Sequence, residues 1–288
     1  MTTNEDFVTL SKITGMSGNL LIPVDFSPRA EIALRVGFFF ARTSGLRPVV
    51  LYVQESAPGE DGDLSEDTLR RFKDFKENID SAQKAGRLPD VKYSTLLQDG
   101  LAEEVIADYC RRYEPSLIVM ATRDKTRKDS DLVGSVTAEV VDSVRVPLFT
   151  IPESASSIPP SAVRHIVMFC TMSPHDAASL HKLLEMTRFP SVEFFLLPVP
   201  DLVSDTSSDA LISLRNYLSR TYPNATFRLP DFNTDNINDS LNSLVTNNNI
   251  GLLIVPNKKT SVFSRIFKPS IGHRFLFQQD LPMLLLPV

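Results

Sequence analysis

Two cysteines in 288 residues, Cys110 and Cys170, are too few for a disulfide framework, and without Cys-x-x-Cys spacing they do not form a zinc site. Both thiols are expected in the core, buried and reduced. Histidine is almost as scarce: His165, His175, His181 and His273 lack the spacing to cysteines or carboxylates that a metal would require. There is no excess of positive charge, since the formal net charge is -5, and this excludes a general nucleic-acid binder, which needs a basic surface to neutralise phosphate. No apolar run reaches the roughly 18 to 20 residues that cross a bilayer, and the first 18 residues lack the apolar core of a signal peptide. The expectation is a soluble, cytoplasmic protein with no membrane and no nucleic-acid partner.

What the chain does have is a repeat. The stretch LLIPVDFSP at 20–28 is answered by IVMFCTMSP at 166–174, and Leu20 to Val53 aligns without a gap, at an offset of 146, onto Ile166 to Val199. Ser27 and Pro28 meet Ser173 and Pro174, and Leu51 meets Leu197. A second gap-free block runs from 117–152 onto 252–287 at an offset of 135, pairing Ser135 with Ser270, Pro147 with Pro282 and Pro152 with Pro287. Two such blocks in the same order imply duplication, with the second copy about 11 residues shorter in its middle. The loss is expected in the helix corresponding to 65–86. The chain therefore divides into a flexible lead-in at 1–18, a first domain at 19–152, a linker at 153–163 with Ser- and Pro-rich composition, and a second domain at 164–288.

Within the first copy, apolar runs of four to six residues alternate with helical patterns, as in a parallel sheet covered on both faces. Ser27 followed by Pro28 marks a helix start, with a hydroxyl cap and a proline at the first helical position. Ala33, Val36, Gly37 and Phe40 form one buried stripe at helical spacing. A charged helix follows at about 65–86, then a strand VKYSTLL, a helix carrying Ala102, Val105, Ile106 and Tyr109, a basic loop to Gly134, and a last helix from Ser135 to Ser143. The fold class is α/β, with two tandem, doubly wound, mostly parallel five-stranded sheets of Rossmann-like type. In such a sheet the ligand crevice lies at the carboxyl ends of the strands, where the strand order reverses.

The loops that meet there carry Asp25 on one side and residues 121–134 on the other. The combination LIPVDFSP, an amphipathic helix, and the block from Leu117 to Pro152 resembles the universal stress protein family, and the duplicated chain resembles its tandem-domain members. The resemblance implies an adenine-nucleotide-binding type of sheet. It further implies an aspartate after the first strand near the adenosine, and a G-x2-G-x9-G-[ST] loop after the fourth strand that cradles phosphates. Asp25 stands at the aspartate position, and Gly134 and Ser135 retain the end of the loop pattern. Ala121 and Asp124 replace its first two glycines, so a backbone nest for phosphate is hindered and a carboxylate is placed beside it. Thr122, Arg123 and Lys125 in the same loop, with Val53 at the end of the second strand, complete the candidate nucleotide-binding set. In the second copy Thr171 replaces the aspartate, while Pro256, Lys259 and Pro269 replace the three glycines, leaving only Ser270.

The expected function is that of a non-catalytic, cytoplasmic stress-response protein with a degenerate nucleotide site in the first domain and none in the second. The alternative is an ATP- or AMP-binding stress sensor, with weak or no ATPase activity, acting through the first domain. Neither crevice loop contains a histidine, and no Gly-x-Ser-x-Gly elbow exists, so no catalytic residue is assigned. The glycine-rich phosphate loop of adenylating enzymes is also missing after the first strand. The resemblance implies an intramolecular pseudo-dimer in which the two copies pair through their last strands, with a homodimer of the whole chain and an unidentified protein as further partners.

Overall fold

The computed structural model describes residues 18–55, 64–122, 135–157, 162–172, 174–187, 191–199, 207–233, 236–257 and 281–287. By its internal contacts the chain separates into two compact units, Met1–Ala121 with Ser143–Leu148, and Thr122–Asp142 with Phe149–Val288.

The first unit begins with β1 (Asn19–Val24), α1 (Pro28–Ser44), β2 (Arg47–Gln54), α2 (Glu66–Lys84), β3 (Ser94–Asp99), α3 (Ala102–Tyr113) and β4 (Leu117–Thr122). Its strands lie in the order β3-β2-β1-β4. The pairings of β1 with β2, β2 with β3, and β1 with β4 are all parallel. The order reverses at β1, with β2 on one side and β4 on the other. Leu20, Leu21 and Ile22 of β1 are each 0% exposed, so successive residues are buried on opposite faces of the sheet, as a strand covered on both sides requires. Gly37 lets α1 sit close to this strand: a Cβ there would come within 2.5 Å of Ile22 Cδ1.

The second unit holds α4 (Ser135–Ser143), most of β5 (Leu148–Pro152), a short 3-10 turn (Glu153–Ser157), β6 (His165–Cys170), α5 (Pro174–Thr187), β7 (Val192–Pro198), α6 (Ser207–Thr221), β8 (Ala225–Arg228), α7 (Ile237–Asn248), β9 (Leu252–Asn257) and β10 (Met283–Pro287). Its strand order is β5-β10-β9-β6-β7-β8. The run β8-β7-β6-β9 repeats the β3-β2-β1-β4 order of the first unit and reverses at β6, again with parallel pairing. The body of β5 therefore groups with the strands of the second copy, and Thr150 Oγ1 donates to the Met283 carbonyl at 3.5 Å. The start of the strand stays with the first unit, where Pro147 accepts from Ile118 N at 2.9 Å.

The duplication is visible in single hydrogen bonds and torsions. At the 135 offset, the bond from Ile118 N to Pro147 O recurs as Leu253 N to Pro282 O, 3.1 Å; Ser116 N to Asn19 O recurs as Gly251 N to His165 O, with the donor shifted by 135 and the acceptor by 146. Left-handed residues also pair: Phe26 (φ 56) with Met172 (φ 55), Gly45 (φ 77) with Ser191 (φ 43), and Glu114 (φ 41) with Asn249 (φ 50). Non-glycine residues rarely adopt this region, so matched exceptions at matched positions reflect an inherited backbone path.

Four local expectations are refined. The third strand begins at Ser94, three residues after the start of the apolar stretch, because Gln83 Nε2 donates to the carbonyls of Pro89 and Val91 and ties that segment to α2. Helix α1 buries Ile32, Leu34, Phe38 and Ala41 besides the expected stripe, so it is covered over most of its circumference. On α3 the buried positions are Ile106, Ala107, Tyr109 and Cys110, while Ala102 and Val105 are half-buried. The shortening in the second copy falls partly in the helix, 15 residues in α6 against 19 in α2, and partly in the connection to the next strand.

Candidate functional site

At the carboxyl edge of the first sheet, parallel register brings three of the candidate residues to within one residue of the same level. Val24 pairs with Tyr52, which places Asp25 beside Val53. Leu20 pairs with Leu117 and Leu21 with Ile118, and the same register carried forward puts Val24 level with Ala121. Val53, Ala121 and Thr122 are half-buried. Ser135 opens α4. Arg123, Asp124, Lys125 and Gly134 lie outside the described residues, as do Lys259, Pro269 and Ser270 of the second copy.

Asp25 is built into its own loop. One carboxylate oxygen accepts from Ser27 N at 3.0 Å and from the Ser27 hydroxyl, and the other accepts from Arg29 Nη2 at 3.2 Å. The side chain nevertheless remains 60% exposed. Partial burial pushes its pKa up, but the Ser27 hydroxyl and N–H, followed by Arg29, outweigh that and hold it below the usual carboxylate value. The same contact corrects the expected cap: Ser27 has the extended backbone of an N-cap, but its hydroxyl makes no cap bond to α1. A charged acceptor two residues upstream takes that hydroxyl in preference to leaving it for the helix.

The second copy solves the same turn differently. Thr171, at the position of Asp25, is buried, and both its N–H and its hydroxyl donate to Asp176 Oδ1 at 3.0 Å. The carboxylate has moved from the loop into the first turn of α5. Sequence reasoning missed Asp176, although Ser173-x-x-Asp176 has the spacing of a capping box. Pro256, in place of the first loop glycine, is a buried residue of β9 paired with Leu286.

An aromatic cluster beside Asp25 was also missed. Phe26 stacks on Tyr52 with ring centroids 3.8 Å apart and planes 11° from parallel, Phe75 and Phe72 of α2 lie at 5.2 and 6.4 Å, and the Arg71 guanidinium sits over the Phe26 ring at 5.2 Å. The helical spacing of Phe72 and Phe75 was the available signal. At the opposite, amino ends of β6, β7 and β8 there is a shallow depression lined by Arg164, His165, Glu193 and Thr226, in which Glu193 bridges Arg228 and His165. Among the described residues, no cluster of histidine, cysteine and carboxylates could hold a metal ion, and no helix is long and apolar enough to cross a membrane.

Residues 16–152 match the sequence profile of the universal stress protein family. The first repeat is thus similar in sequence to the universal stress protein family. No curated protein matches the chain. Among solved structures, a universal stress protein from Archaeoglobus fulgidus is 12% identical with a TM-score of 0.67, and the match covers 94% of this chain and 99% of that one. A putative universal stress protein from Pseudomonas aeruginosa is 8% identical with a TM-score of 0.58, covering 94% of each. At such identities the likeness is one of fold, and it extends over both repeats of the chain.

Proposed function

We propose that this chain is a non-catalytic stress-response protein whose first repeat keeps a weakened nucleotide site and whose second repeat has none. The observation that carries the reading is Asp25. A carboxylate that already accepts from Ser27 and Arg29 has little left to offer an adenosine, so binding must compete with the loop's own hydrogen bonds. The replacement of loop glycines by Ala121 and Asp124 works in the same direction. In the second repeat a threonine bonded to Asp176, and a buried proline at 256, replace the corresponding groups. On this reading the repeats pair through their last strands, which the bond from Thr150 to Met283 supports, and the protein acts in the cytoplasm through a protein partner.

The second reading, an ATP or AMP sensor in the first repeat with Asp25, Val53, Ala121, Thr122, Arg123, Asp124, Lys125, Gly134 and Ser135 around the ligand, is favoured by the convergence of Asp25, Val53 and Ala121 at one edge of the sheet. Thermal denaturation with and without Mg-ATP separates the two. A ligand that binds only the folded state adds about 2.7 kcal/mol at a hundred times its dissociation constant. The weakened-site reading expects no shift at about 5 mM Mg-ATP, whereas a rise of several degrees would establish the sensor.

A further inference from the structure

The shallow depression at the amino ends of β6, β7 and β8 has a volume of about 440 Å³, and its charged residues are absent from the first repeat. At the offset of 146, its Arg164, His165 and Glu193 correspond to Gly18, Asn19 and Arg47. Parallel register sets His165, Glu193 and Thr226 in one row across the three strands, so the three side chains stand on one face of the sheet. Glu193 is at the centre of the row and is already occupied: Oε1 accepts from Arg228 Nε, and Oε2 lies 3.6 Å from His165 Nε2. The other ring nitrogen of His165 donates to the carbonyl of Asn248, the last residue of α7, at 2.5 Å, so that helix end does not present this acceptor to a ligand. What remains is a set of donors. Arg228 bonds Glu193 through Nε and is 63% exposed, and its two Nη groups have no partner among the described residues. The exposed hydroxyls of Ser191 and Thr226 and the exposed amide of Asn224 are likewise unbonded among the described residues, and Arg164 stands exposed on the rim. Guanidinium forks beside hydroxyl and amide donors suit carboxylates, each of which accepts two parallel N–H bonds. Shape narrows the occupant further. Thr226 belongs to β8, the last strand of the sheet, which has no strand on its outer side among the described residues. A small acid in so shallow a site would stay largely in water, whereas an extended chain laid along the edge keeps its carboxylates over the arginines and adds backbone contacts.

We propose that this depression is the docking site for an acidic segment of a partner protein, an extended stretch whose aspartate or glutamate side chains meet Arg164 and Arg228. The proposal rests on the reading of the chain as a protein that acts through a partner, and it assigns the contact to the second repeat. With a formal net charge of -5 the chain as a whole repels such a segment, so binding requires a local site of the opposite sign.

The probe is a fluorescein-labelled, acetylated octaglutamate peptide, titrated with the full chain at low salt and followed by fluorescence anisotropy. Arg164→Gln combined with Arg228→Gln is expected to weaken binding about fivefold or more, as the loss of two exposed ion pairs implies. Arg70→Gln combined with Arg111→Gln removes two exposed arginines of the first repeat and should leave the affinity within about twofold. Glu193→Gln takes away the one negative charge of the depression and should tighten binding. In amide NMR spectra the peptide should shift Asn224 and Thr226. No binding at about 1 mM protein overturns the proposal, as does an affinity that survives the loss of both arginines. Glutarate that displaces the peptide as well as unlabelled octaglutamate does, at equal carboxylate concentration, also overturns it, by making the depression a site for small acids. If the double variant does not fold, Glu193→Gln and the two amide shifts decide by the same criteria. The parent reading fails separately: a rise in denaturation temperature with Mg-ATP would end the weakened-site reading and leave the peptide titration as it is.

Discussion

A carboxylate that collects donors from its own loop stabilises that loop only while it is ionised. The folded-state pKa of Asp25 lies below its ordinary value of 3.8, raised by partial burial but lowered further by the Ser27 hydroxyl, the Ser27 N–H and Arg29. Its contribution is therefore present above the unfolded pKa and lost as pH falls through the folded one. Asp25→Asn keeps the shape and loses the charge. Because the group is largely exposed, the gap between variant and wild type should be small, about 0.5 kcal/mol at neutral pH, and should close in strong acid, once the pH has fallen through the lowered folded-state pKa. Urea titrations at the two pH values measure it, and a gap that widens in acid would mean that the loop does not depend on this charge. The cysteines behave oppositely, since they contribute by staying neutral. Burial pushes the Cys110 thiol up to about 12, and burial with the nearby Asp176 raises that of Cys170 well above its usual value, so neither is a nucleophile.

Helix α2 shows how weakly an element can be attached and still be fixed. Of its 19 residues only Thr68 and Ile79 are buried, so besides the packing of Phe72 and Phe75 on Phe26 it is held by contacts near its two ends. At its start the Ser65 hydroxyl accepts from Thr68 N while Ser65 N donates to Gln54 Oε1. Towards its end the Tyr93 hydroxyl donates to Asp80 Oδ1 at 2.6 Å. Burial, with help from Asp80, raises the Tyr93 pKa, so the phenol remains a donor at all ordinary pH. Tyr93→Phe removes that bond but keeps the ring, whose centroid is 5.5 Å from that of Phe38. The expected cost is about 1 kcal/mol, appearing as amide exchange roughly fivefold faster in the second half of α2, with α1 unchanged. Uniform acceleration would instead indicate a global loss of stability. This helix also marks what can be read in the sequence. Its charged pattern gave its existence and limits nearly to the residue, because local periodicity and the Ser65 cap decide them. The strand end near Ser94 was misplaced because side-chain bonds from Gln83, not β propensity, decide where pairing starts. The site was partly legible for the same reason. Asp25 and Val53 follow from motif and strand position, whereas the bonds that occupy Asp25 and the ring laid on Tyr52 depend on a positive φ at Phe26 that no local pattern announces.

For the whole chain, the sequence repeats and the compact units do not share a boundary, and the difference has a physical consequence. The sequence repeat places one copy before the segment at 153–163 and one after it, and hydrogen bonds and left-handed residues recur at the matching positions. Contacts nevertheless group α4 and the body of β5 with the second unit, where β5 neighbours β10. Leu148, Phe149, Thr150 and Ile151 of β5 are all buried in the intact chain. A chain ending at Pro152 would retain β5 but lose β10, leaving a buried apolar strand with an unpaired edge. Such an edge is a template for another strand, and the nearest equivalent to β10 in that solution is β5 of a second molecule. The truncated protein is therefore expected to self-associate, eluting in size-exclusion chromatography with at least twice its own mass. Replacing the inward Phe149 of the truncated chain with lysine should return it to the monomer or unfold it, since a charge on that strand opposes edge pairing and burial alike. A truncated chain that remains a folded monomer would show that β5 needs no partner, and the pairing of the repeats through their last strands would then contribute nothing to the stability of the first.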